Sequence, residues 1–217
     1  LEKPRLEYSI YYRGRLTADG KGSIGSEDKS PAQYLAEMRD LKAHGVDYPT
    51  CYQGSPGKML EQILAIRKEA GIANDPFYWM GGTGVPSTPA KVAALKERTR
   101  ANVEYAAQLG IKQVYVYGVD EATGERLKAE REAFRAVHEA GAKVLVACGT
   151  DAIDLVGDLL DLAILTVQSP SQAEKWHARG QRIFSYNNPQ VGVEEPETYR
   201  RNYGLRLWKA GYDGAMD

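Results

Sequence analysis

Eight short apolar or aromatic runs alternate with seven helical stretches over 217 residues, which predicts an α/β fold: a compact, single-domain (β/α)8 TIM barrel. Three observations carry that expectation. The runs are rich in Val, Ile, Leu and Tyr, as strands buried on at least one side are. Each crossover contains a helix, so neighbouring strands pair in parallel. Eight is also the strand number at which such a sheet closes on itself. A doubly wound open sheet would carry a Gly-rich fingerprint after strand one, with an acidic residue about 20 residues on; the loop after residue 12 lacks that spacing.

The elements follow in order. Residues 6–12 read as strand one, followed by a polar, Gly-rich loop from 13 to 29 that exceeds the usual connection of about 2–6 residues. Ser30 and Pro31 open the first helix as N-cap and first helical residue, and it stops at His44 and Gly45. Residues 48–53 are strand two, and a helix from 57 to 70 ends before Gly71. Strand three is 76–80, and Thr88-Pro89 starts a long helix to 109. Strand four begins at Gln113 and ends in Asp120-Glu121, with one helix expected from 124 to about 140. Strands at 143–148, 162–168, 182–186 and 213–217 complete the set, with helices at 151–160, from 171 to about 179, and 196–210.

Composition narrows the function. With 28 basic and 29 acidic residues the net charge is -1, without the basic footprint of a nucleic-acid binder. No apolar stretch approaches the roughly 18 residues of a membrane span. Cys51 and Cys148 lie in expected strands and read as buried thiols. The chain opens at Leu1 with neither Met nor a signal peptide, which predicts a piece of a longer or processed protein and leaves its compartment open.

In a barrel, the residues at the C-terminal ends of the strands form the active face. Here they include Tyr11, Tyr12, Arg13, Tyr52, Trp79, Met80, Tyr117, Asp120, Glu121, Gln168, Tyr186, Asn187 and Asp217. Aromatic, amide and acidic side chains suit a carbohydrate, whose C–H face stacks on rings while its hydroxyls bond amides and carboxylates. All three histidines fall in helices and no Lys ends a strand, which argues against a zinc site and against Schiff-base chemistry; no metal and no cofactor are expected. A phosphate cradle at Gly81-Gly82-Thr83-Gly84 is the weaker alternative. Asp120 and Glu121 match the needs of glycosidic bond cleavage, in which one carboxyl protonates the leaving oxygen and a second group manages the oxocarbenium-like centre. Neighbouring strand residues face opposite ways, so both reach one ligand only if the backbone leaves strand geometry there.

The run Tyr115-Val-Tyr-Gly-Val-Asp-Glu-Ala122 resembles the catalytic strand of barrel glycosidases with an adjacent Asp-Glu pair, closest to glycoside hydrolase family 123 and related barrels, with family 20 more distant. The ending from Glu197 to Met216 is similar to the last helix and strand of those barrels. The resemblance implies retaining, substrate-assisted hydrolysis of a 2-acetamido sugar. Asp120 would orient the acetamido group and Glu121 would act as acid and then base. The family's barrels carry flanking domains, so it also implies neighbours in a longer parent chain. The alternatives are a non-catalytic carbohydrate-binding barrel and a glycosidase for sugars without the acetamido group.

Overall fold

The computed structural model describes residues 6–54, 56–186 and 195–217. Strand β1 spans Glu7–Ser9, and the long loop after it contains two short strands, β2 (Arg15–Leu16) and β3 (Asp28–Lys29), paired in parallel. Helix α1 (Pro31–Ala43) starts at the Ser30 cap that the sequence predicts, and Gln33 completes a capping box with it. Helix α2 (Lys58–Glu69), strand β4 (Phe77–Trp79), helix α3 (Pro89–Gln108) and strand β5 (Val114–Tyr117) follow. The single helix expected from 124 to 140 is two, α4 (Gly124–Lys128) and α5 (Arg131–Glu139), which meet at the buried Glu130. Strand β6 (Lys143–Cys148), helix α6 (Ala152–Leu155), strand β7 (Leu162–Leu165), helix α7 (Pro170–His177) and strand β8 (Arg182–Ser185) continue the alternation. The last helical stretch runs as α8 (Pro196–Tyr199), a π-helix (Arg200–Arg206) and α9 (Leu207–Ala210), and leads into β9 (Gly214–Met216).

Seven strands form one parallel sheet in the order β1-β9-β8-β7-β6-β5-β4. The sheet is curled, because side chains from its two edges meet inside it. Tyr78 on β4 donates to the Glu7 carboxylate on β1, and Arg182 on β8 joins them, 2.7 Å from Glu7 and 3.3 Å from the Tyr78 hydroxyl.

The expected strand at 48–53 is not a regular strand. It contributes one parallel bridge, Cys51 to Trp79, because Pro49 lacks the N–H that a ladder needs. The segment nevertheless bonds to both sheet edges. Asp47 and Thr50 donate to the Tyr8 and Ile10 carbonyls at 2.8 and 3.0 Å, while Cys51 donates to Tyr78 at 2.9 Å and accepts from Met80 at 2.9 Å. The buried Arg67 of α2 holds the Pro49 carbonyl at 2.7 Å. Cys51 and Cys148 are both free and buried.

One device recurs at the N-terminal ends of the strands. Asp47 donates its N–H to the Tyr8 carbonyl at 2.8 Å and accepts the Tyr8 N–H on its carboxylate at 3.3 Å. Asp161 grips Val144 in the same two ways, at 3.1 and 2.8 Å, and Asp213 grips Ile183 at 3.0 and 2.9 Å. His138 and His177, each in the helix before the gripped strand, bond the Asp161 and Asp213 carboxylates at 2.7 and 3.0 Å. Each aspartate therefore fixes the register of one strand against the next. Asp161→Ala leaves the Val144 N–H without its side-chain partner and is expected to lower stability by about 1–3 kcal/mol, read as a fall in the urea midpoint. A change below about 0.5 kcal/mol, the ordinary surface range, would remove the register role.

Candidate functional site

Strand parity decides which residues reach the mouth. On β1 and its continuation, Glu7, Ser9 and Tyr11 share the inner side, and Tyr12 faces outward. Its hydroxyl donates to Glu37 at 2.6 Å and its ring packs edge-on against Tyr34 of α1. On β4 the inner residue is Tyr78, while Phe77 and Trp79 face the helices. Trp79 is 3% exposed and donates its indole N–H to the Gln53 carbonyl at 2.9 Å.

A cavity of about 430 Å³ opens at the C-terminal ends of the strands, lined by Tyr11, Arg13, Tyr52, Met80, Tyr117, Asp120, Glu121, Ala147, Tyr186 and Asp217. Nine residues expected from the sequence meet there: Tyr11, Arg13, Tyr52, Met80, Tyr117, Asp120, Glu121, Tyr186 and Asp217. Tyr12, Trp79 and Gln168 do not line it. Gln168 turns to the Ser185 hydroxyl at 3.2 Å and to the Asn202 carbonyl of the π-helix at 2.9 Å, which makes it a tie between the loop after β7 and the last helical stretch. Asn187 lies outside the described residues. Ala147 was not among the residues singled out from the sequence, because inside an apolar run it carries no sequence signal.

The two carboxylates share the cavity because the backbone turns sharply between them. Glu121 is the one non-glycine residue at positive φ among the described residues, at 49°. Its N–H still bonds the Ala147 carbonyl at 3.1 Å, so the turn stays attached to β6. A left-handed, non-glycine conformation is costly and persists only when its surroundings enforce it. Gly118, three residues before it, packs closely on the core: a Cβ there would lie 3.0 Å from Val146 and 3.2 Å from Phe134.

Tyrosines hold both acids. Tyr117 donates to Asp120 Oδ1 at 2.7 Å, with Tyr11 a further 3.3 Å from the Tyr117 hydroxyl. Tyr186 donates to Glu121 Oε1 at 2.7 Å. Opposite them, the Arg13 guanidinium lies 5.8 Å over the Tyr52 ring and 3.6 Å from Glu27. Burial pushes the Tyr117 hydroxyl well above the usual phenol range, and its bond to Asp120 adds to this. Tyr186 is raised by burial and by Glu121, and Tyr11 by burial and Tyr117. Among the described residues no group of three His, Cys, Asp or Glu side chains is placed to hold a metal, and no helix is long and apolar enough to cross a membrane.

Fold and site together define an α/β protein with a curled parallel sheet and an acidic, tyrosine-lined mouth. Comparison with solved structures agrees on the fold. An O-GlcNAc hydrolase from Thermobaculum terrenum superposes with a TM-score of 0.55 at 12% identity over 99% of this chain, which spans only 55% of that chain. A β-mannanase from the blue mussel Mytilus edulis gives 0.57 at 12% identity, over 97% of this chain and 86% of that one. Tryptophan synthase from Pyrococcus furiosus gives 0.54 at 13% identity, over 100% and 88%. The structural neighbours thus include glycoside hydrolases and other TIM barrels. No family model matches the chain, and no curated protein matches it.

The tyrosines make a pH prediction. Each raised hydroxyl keeps its proton in the folded chain where an unfolded phenol, at about pH 10, loses it. The stability they lend is whole below about pH 10 and falls as the pH rises above it, because the unfolded state then sheds protons that the folded state retains. Ultraviolet titration of the folded protein should show the phenolates of Tyr11, Tyr117 and Tyr186 missing at about pH 10.5, appearing only with unfolding. Their full ionisation in a folded chain at that pH would contradict the network.

Proposed function

We propose that this chain is a glycoside hydrolase that cleaves a 2-acetamido sugar with retention, by substrate-assisted catalysis, in a (β/α)8 barrel whose second stave is the segment bridging the sheet edges. One observation carries the reading. Asp120 and Glu121, adjacent in sequence, line a single cavity because Glu121 adopts a left-handed backbone conformation, and each has one carboxylate oxygen held by a tyrosine. Backbone strain of that kind gathers at active sites. The cavity, at about 430 Å³, has room for a sugar ring.

In this reading the second oxygen of Asp120 accepts the acetamido N–H and turns the acetamido oxygen toward the anomeric carbon. That oxygen attacks, the glycosidic bond breaks, and Glu121 donates its proton to the leaving oxygen. Asp120 steadies the positive charge of the resulting oxazolinium-like ring. Glu121, now ionised, removes a proton from water, which opens the ring from the same face and restores the starting configuration. Tyr52, Tyr186 and Arg13 supply the ring-stacking and hydroxyl-binding wall. The hydrolases among the structural neighbours support this class only through the shared fold.

Aryl glycosides of N-acetylgalactosamine, N-acetylglucosamine, galactose and glucose provide the test. Turnover is expected with the acetamido sugars alone, and Glu121→Gln is expected to lower kcat by about 10²–10⁴-fold while circular dichroism and sugar binding are retained. Cleavage of galactosides or glucosides would sink the acetamido mechanism. Saturable sugar binding without cleavage across mildly acidic and neutral pH would make the chain a carbohydrate-binding barrel.

A further inference from the structure

We propose that Glu130 is a positioning residue for the reaction assigned above, clamping the loop after β4, through Thr83, to the end of β5, where Tyr117 holds Asp120. The proposal rests on the hydrolase reading and concerns a residue outside the cavity lining. Glu130 precedes α5 as its N-cap and is fully buried, where a carboxylate is costly unless it is well bonded. Its Oε2 accepts from the Thr83 hydroxyl at 2.7 Å, and Thr83 is itself buried. The Thr83 N–H in turn donates to the Tyr117 carbonyl at 2.8 Å. The loop after β4 is therefore tied both to the last residue of β5 and to the cap of α5.

The end of β5 in turn holds the acid pair, since the Tyr117 hydroxyl donates to Asp120 at 2.7 Å. Burial pushes the Glu130 carboxyl up, and the Thr83 hydroxyl draws it back down. Its Oε1 is buried with no hydrogen-bond partner among the described residues. A half-satisfied buried acid is a poor source of stability, since an apolar replacement of similar shape often serves as well. What it does supply is direction: it fixes the Thr83 hydroxyl, and with it the Thr83 N–H that the Tyr117 carbonyl accepts, just ahead of the closely packed Gly118 and the turn at Glu121. Without the clamp the turn is free to relax, and displacement of a reacting group by about 1 Å costs on the order of 10²-fold in rate.

The test uses Thr83→Val, which removes only the hydroxyl, Thr83→Ser, which keeps it, and Glu130→Gln. Two readouts are taken: kcat and KM on the aryl 2-acetamido glycoside cleaved by the unmodified protein, and amide hydrogen exchange across residues 118–122. Thr83→Val and Glu130→Gln are expected to lower kcat by about 10–100-fold with KM within about twofold, and to speed exchange in that turn alone. Thr83→Ser is expected to behave as the unmodified protein in both. Unchanged kcat, or faster exchange spread evenly over the chain, would overturn the clamp and leave Glu130 a packing residue. Should the unmodified protein cleave nothing, the hydrolase reading fails on its own, and exchange at 118–122 then decides the clamp: local loosening supports it, and no change or an even rise overturns it.

Discussion

The two edges of the seven-stranded sheet both hydrogen-bond to one short segment around Pro49, and the mouth of the protein depends on that junction. Asp47 and Thr50 bond β1 and its continuation, while Cys51 bonds β4 and the residue after it. Tyr11 comes from one edge, Met80 from the other and Tyr52 from the segment itself, yet all three line one cavity. Without the junction these side chains would lie at opposite ends of an open sheet. Arg67 secures it from outside by holding the Pro49 carbonyl at 2.7 Å, with the guanidinium 5.6 Å over the Phe77 ring. At the opposite end of the sheet, Glu7, Tyr78 and Arg182 make the same connection through side chains.

A second constraint is the pleat. Alternation sends Tyr11 and Tyr117 inward to form a chain of hydroxyls ending at Asp120, and sends Tyr12 and Trp79 outward to pack beneath helices. The same alternation would separate Asp120 from Glu121. The left-handed turn at Glu121 removes the conflict by ending strand geometry at the acid pair. Cavity and strain thus coincide, and the closely packed Gly118 lies three residues before them.

The open character of the mouth shapes its electrostatics. Asp120 and Glu121 are solvent-exposed, whereas the tyrosines that bond them are partly or fully buried. Each acid therefore presents its carboxylate to the cavity while being held through a rigid phenol anchored in the core. Among the described residues, Arg13, resting on Tyr52 and near Glu27, is the one cation of the lining, which also holds three acids, Asp120, Glu121 and Asp217. The site as a whole is acidic, which suits a neutral, hydroxyl-rich ligand better than an anionic one.

The sequence by itself determined the alternation of strands and helices, the capped starts of α1 and α3 at Ser30 and Thr88, and the position of the Asp-Glu pair at the end of β5. These are local properties: side-chain shape, periodicity, and the hydrogen bonds a Ser or Thr offers to the next turn. It also placed Arg13, Tyr52, Tyr117, Tyr186 and Asp217 at the mouth, because strand ends in a barrel converge wherever they fall in the chain. Tertiary structure alone decided the rest. Whether Tyr11 or Tyr12 faces inward depends on one residue of register, and register is fixed by distant partners such as Asp47 on Tyr8. The break between α4 and α5, and with it the burial of Glu130 against Thr83, requires contacts 47 residues apart that no local pattern encodes. The irregular bridge at Cys51 and the widened turn that draws Gln168 to Asn202 are likewise products of closure, since only the assembled sheet dictates which backbone groups are left to pair.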